Sequence, residues 1–136
     1  MDLGTGLGAD LDAALAVDAH TMVDFGDDAL TAGRAHPMID PTLRLEQLAR
    51  AADDPRTGVI LIDVVLGHGA EQDPAAALAP VVAGARPPVV ACVVGTVADP
   101  QDRRRQVAAL AEAGAEVHLS NAAATRRAVE LVGGSR

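Results

Sequence analysis

Aromatic side chains are almost missing from this chain of 136 residues: Phe25 stands alone, with no Trp and no Tyr. That removes the platforms on which proteins stack exposed bases. Basic groups are also scarce, 11 Lys and Arg against 19 Asp and Glu, and the formal charge of −8 leaves little to displace phosphate counterions. Nucleic acid is therefore not an expected partner. No apolar run approaches the ~20 residues of a membrane-spanning helix, so no membrane association is expected. The one cysteine, Cys92, cannot close an internal disulfide, and the N-terminus lacks the basic region of a secretory signal. The cytoplasm is the expected compartment.

What is present is aliphatic. Hydrophobic residues make up 49% of the chain, so a core must be built from Val, Leu, Ile and Ala. The length suits one domain with a single core. The clearest stretch is Gly58-Val-Ile-Leu-Ile-Asp-Val-Val-Leu-Gly-His-Gly-Ala-Glu-Gln-Asp-Pro74. Its β-branched apolar run is too short for a buried helix and predicts a strand covered on both faces. A Gly-His-Gly loop follows, and Asp73-Pro74 opens an alanine-rich helix.

Residues 1–19 read as a flexible lead-in or short helix, leaving 20–136 as the domain. Gly4-Thr-Gly-Leu-Gly-Ala9 matches a relaxed dinucleotide pattern, but that motif needs a preceding strand, and only Met1–Leu3 precede it. His20–Phe25 predicts a first strand, ended by Gly26-Asp27-Asp28, and Ala29–Ile39 a long loop containing His36. A helix is expected from Asp40-Pro41 to Asp53-Asp54, another from Pro74 to about Ala83, and a strand over Pro88–Gly95. Asp99-Pro100 predicts a helix start, Gly114 its C-terminal cap, Ala115–Leu119 a short strand, and Ser120-Asn121 the cap of a last helix. Four strand-to-helix alternations predict an α/β fold: a flavodoxin-like, three-layer parallel sheet.

In such a sheet the loops after the strands gather at one edge, where glycines admit a ligand and helix N-termini favour anions. Gly26, Asp27, Gly67, Gly69, Gly95, Thr96, Ser120 and Asn121 are the candidate ligand-binding residues, for a phosphate or a carboxylate. His68, between two glycines, is the candidate catalytic group: a general base, a phosphate ligand or a transient phosphoryl carrier, against the plainer alternative of an exposed loop histidine. Asp63 interrupts an apolar strand and marks either a site or a sheet edge. Cys92 lies among Val and Ala as a buried, inert thiol, and His118 reads as structural. Arg103-Arg104-Arg105 reads as a solvated helix face. No spacing of His, Cys and carboxylates predicts a metal site.

His36-Pro-Met-Ile-Asp-Pro-Thr-Leu-Arg-Leu-Glu46 resembles the FdrA family, relatives of the succinyl-CoA synthetase α subunit. Asp24-Phe-Gly-Asp-Asp28, Ile62–Ala70, Gly95-Thr96 with Asp99-Pro100, and Ser120-Asn-Ala-Ala-Ala124 extend the resemblance over about residues 20–132. It implies one ligase-type domain without the CoA-binding Rossmann domain that normally precedes it. It further implies acyl-CoA or acyl-phosphate chemistry, or carbamoyl (oxamate) transfer, with CoA or an acyl or carbamoyl phosphate as the group handled. Partners implied are other subunits or a separate CoA-binding domain; a homo-oligomer is a further expectation. The synthetases pass phosphate through a histidine in a glycine-rich loop; here the corresponding loop, Thr96–Asp102, has none, and His68 follows the preceding strand. The rival expectation is a non-catalytic assembly or regulatory module.

Overall fold

The computed structural model describes residues 19–33 and 40–133. Among these, the elements are α1 (Asp28–Thr31), α2 (Thr42–Asp53), β1 (Ile60–Val65), α3 (Pro74–Gly84), β2 (Val89–Val94), α4 (Arg103–Glu112), β3 (Glu116–His118) and α5 (Asn121–Gly133). The three strands are parallel in the order β1-β2-β3, with Ile60 opposite Val89 and Cys92 opposite His118. The fold is α/β and flavodoxin-like, with helices on both faces of the sheet.

Side chains alternate across a strand, so each face can be assigned. On the first face Ile60, Val64, Val89, Ala91 and Val93 pack with Leu48 and Ala52 of α2, Leu78 and Val82 of α3, and Leu110 of α4. On the second face Val90 and Cys92 pack with Ala124 of α5. Three helices thus cover one side and one helix the other. Ala75, Ala91 and Ala124 are fully enclosed, which is how a core without aromatic bulk brings helices close to the sheet.

Three sequence expectations change here. β1 is an edge strand of the described sheet, and its second face stays partly open: Leu61 is 38% and Val65 44% exposed. The strand covered on both faces is β2, buried at five of six positions. An apolar run reports hydrophobicity but not neighbours, and only the neighbours decide which strand is central. Second, residues 20–24 form no strand, and Met22 is 97% exposed. A short apolar run becomes a strand only with a ladder partner, and no described strand pairs with it. Third, α4 begins at Arg103 rather than beside Asp99-Pro100. The Asp99 carboxylate instead accepts the Thr96 N–H at 2.6 Å, holding a tight loop, and Asp102 becomes the cap. The lead-in through residue 18, with Gly4–Ala9, and His36 lie outside the described residues.

Other starts and stops follow local chemistry. Asp73 accepts the Ala76 N–H and Pro74 opens α3, as expected. Asp40 accepts both the Thr42 N–H and its hydroxyl. Gly114 ends α4 at φ 109°, where a side chain would be strained.

Leu78 is 1% exposed at the centre of the first-face core. Leu78→Ala is expected to destabilise the fold by ~2–5 kcal/mol. Denaturant unfolding followed by far-ultraviolet circular dichroism measures it; an unchanged midpoint would mean that this layer does not hold the domain together.

Candidate functional site

Helix direction locates the site. The helices before and after β2 lie on the first face, whereas β3 runs into α5 on the second. At the C-terminal ends of β2 and β3 the chain therefore leaves toward opposite sides of the sheet, opening a crevice between the two loops. This is where open α/β sheets hold ligands. The crevice has a volume of about 480 Å³ and is lined by Cys92–Val97, Arg103 and Leu119–Asn121.

Its walls are built by short-range chemistry. Asp102 adopts a left-handed backbone, φ 53°, which turns the chain sharply before α4. Arg103 is thereby brought to the sheet, where its Nε donates to the Val93 carbonyl at 3.1 Å. β3 pairs with β2 no further than Cys92, so this carbonyl stands beyond the ladder and the guanidinium fills its place. Arg103 is only partly exposed and lines the crevice. Ser120 accepts the Ala123 N–H and caps α5. Its hydroxyl proton stays available, as does that of Thr96, whose oxygen accepts the Ala98 N–H.

Asn121 does something other than capping. With Ser120 at the cap, the Asn121 amide donates to both oxygens of Asp63, at 3.0 and 2.9 Å. It thereby ties the start of α5 to β1. Asp63 is exposed on the edge strand, so the edge alternative holds and the carboxylate has a partner. Its backbone carbonyl accepts from Arg44 at 3.2 Å. Cys92 is 1% exposed, and burial and then Asp63 push its thiol up while Arg103 pulls it down. A protonated, enclosed thiol is not a nucleophile. His118 is half-buried, with Nε2 3.9 Å from Glu116.

Of the candidate binding residues, Gly95, Thr96, Ser120 and Asn121 share the crevice lining. Gly95 has no room for a side chain, because a Cβ there would lie 2.7 Å from that of Leu66. Gly67, His68 and Gly69 sit on the neighbouring loop and are not among the lining residues. Gly69 takes φ 80°, a turn that suits glycine, and His68 is exposed. Gly26 and Asp27 lie in the turn entering α1, also away from the lining. Arg103 was hidden within an arginine run that reads as solvated; only its place directly after the loop hinted otherwise. A second depression, at Ala49, Arg50, Asp53 and Asp54, lies on the C-terminal half of α2, and no strand-end loop lines it.

A model of the CoA-ligase family matches residues 8–131, which is most of the chain. The protein belongs to the CoA-ligase family. Among curated proteins, the uncharacterized protein YahF of Escherichia coli K12 is 54% identical over 55 residues. That match covers 40% of this chain and 11% of YahF, so this CoA-ligase domain spans a small part of that relative's length. No helix among the described residues is long and apolar enough to cross a membrane.

The loop bearing His68 is clamped from below in this CoA-ligase domain. Asp73 accepts from Arg105 at 2.8 Å and from Gln106 at 3.0 Å, and these bonds hold its carboxyl below the usual range. Arg105 is therefore also more than a solvated charge. A carboxyl depressed in the folded state stabilises the fold above its unfolded pKa of ~3.9, and that contribution fades as pH falls through the lower folded value. Asp73→Asn is expected to lower stability at pH 7 and to flatten its decline below about pH 4. Chemical denaturation at several pH values checks this; parallel curves for both proteins would remove the ion pair from the account. Gly95→Ala, which forces the Leu66 contact apart, should cost ~1–3 kcal/mol; an unchanged melting temperature would show that the two loops are not tightly apposed.

Proposed function

We propose that this CoA-ligase domain binds an acyl or carbamoyl group, as its phosphate or as the free carboxylate, in the crevice between β2 and β3. It acts there in group transfer together with other subunits. The observation that carries the reading is Arg103, a half-buried cation fixed to the sheet at a strand-end crevice. Its terminal amino groups and the hydroxyl protons of Thr96 and Ser120 form a donor set suited to a phosphate or carboxylate. The FdrA-like motifs support the carbamoyl branch and the involvement of other subunits or domains.

Coenzyme A, when bound, supplies the thiol that accepts an acyl group. The crevice fits a phosphate of such a ligand, but no lining side chain is aromatic, so an adenine would have no stacking surface here. A separate CoA-binding domain is the natural place for that end. His68 is the proposed acid or base, acting from the adjacent rim on a ligand that extends beyond the crevice. Gly26 and Asp27 would contribute only through a ligand or partner that reaches α1.

A second reading rests on a different observation. Val94, Val97 and Leu119 at the crevice mouth are 48%, 55% and 83% exposed, which suits a domain that docks against a partner without catalysing a reaction. Calorimetry with acetyl phosphate, carbamoyl phosphate and CoA separates the two. Arg103→Ala is expected to weaken acyl-phosphate binding at least about tenfold, and His118→Ala to leave it unchanged. Equal affinity for the wild type and Arg103→Ala would contradict the proposed site; no binding at all would favour the docking module.

A further inference from the structure

Two glutamines are the most enclosed polar side chains of the described domain: Gln101 is 2% and Gln106 0% exposed. Burying an amide is costly unless each of its groups finds a partner, so their bonds reveal what they hold. Gln101 accepts the Gly67 N–H at 3.2 Å and donates to the carbonyls of Gly67 at 2.8 Å and Glu71 at 3.0 Å. One side chain thus grips both ends of the five-residue loop whose tip is His68-Gly69. Gln106 supports it from beneath, accepting from Ala75 N–H at 2.8 Å and donating to Asp73 and to the Gln101 carbonyl. Arg105 also donates to the Gln101 carbonyl.

Gln101 belongs to the segment that lines the crevice. Thr96 and Arg103 flank it, and the Arg103 N–H donates back to the Thr96 carbonyl at 3.2 Å, closing that segment on itself. From this geometry we infer that Gln101 is a positioning residue whose buried amide fixes the Gly67–Glu71 loop to the crevice-lining segment. His68 is therefore held in a set place relative to Thr96 and Arg103. Within the loop the Ala70 N–H donates to the Gly67 carbonyl at 3.3 Å, and the Gln101 amide adds the tie from the loop to the crevice-lining segment. The inference does not depend on which ligand the crevice takes.

Amide hydrogen exchange of the full chain, read residue by residue by NMR, tests it without any ligand. Gln101→Met keeps a side chain of similar length and loses all three bonds; Gln101→Glu keeps the acceptor and loses both donors at pH 7. In Gln101→Met the Gly67 and Ala70 amides are expected to exchange at least about tenfold faster; in Gln101→Glu, which keeps the acceptor of the Gly67 N–H, the same acceleration is expected at Ala70. The cross-peaks of His68 and Gly69 should shift or broaden. The Leu66 amide, bonded to the Val94 carbonyl at 2.8 Å, is the internal control and should change less than about twofold. Unaltered exchange at Gly67 and Ala70 overturns the inference, as does an increase shared equally by Leu66, which would mean a loss of global stability only. Should the Met variant fail to fold, Gln101→Glu supplies the comparison of Ala70 with Leu66.

Discussion

One constraint organises the domain: β2 is covered on both faces, and the chain leaves it and its neighbour β3 in opposite directions. Covering both faces demands a strand of Val, Ala and Cys with no polar side chain. The opposed exits force a gap between the Gly95-Thr96 loop and the Ser120-Asn121 turn. Hydrophobic burial therefore fixes where the crevice is, while the polar residues around it decide what it can hold.

The two sides of that gap are secured differently. On the first face, the loops after β1 and β2 are fused through Gln101 and Gln106, with Asp73 and Arg105 outside them. On the second face, a single pair, Asn121 with Asp63, anchors the start of α5 to the edge strand. Arg103 stands between, bonded to the last unpaired carbonyl of β2. A cation held by its Nε keeps its terminal groups aimed without losing their freedom to bind. The rim is thus bonded at several points near His68 and through the Asn121–Asp63 pair on the other side.

Much of the fold was legible in the sequence because local and tertiary preferences agree there. Val89–Val94 had to be a strand, Asp73-Pro74 had to start a helix, and Gly114 had to end one. The candidate crevice residues Gly95, Thr96, Ser120 and Asn121 followed from strand ends alone, and they do line one gap. Illegible features were those set by distant partners. His20–Phe25 reads as a strand, but pairing is a property of neighbours. The acid of Asp99-Pro100 looked like a cap, yet its carboxylate turned back to Thr96. Gln101 and Gln106 carry no sequence mark of burial, and Arg103 differs from Arg104 only in where the Asp102 turn points it. These are also the residues that join the loops to one another, which is why reading each loop separately could not find them.

The proposed anion site in the β2/β3 crevice is open to a direct test. The most direct measurement is an NMR titration of isotope-labelled protein with acetyl phosphate, following every backbone amide. Saturable shifts concentrated at Gly95, Thr96, Ser120 and Asn121 are expected. Shifts confined to the depression at Ala49–Asp54, or none at the crevice at saturating ligand, would contradict it.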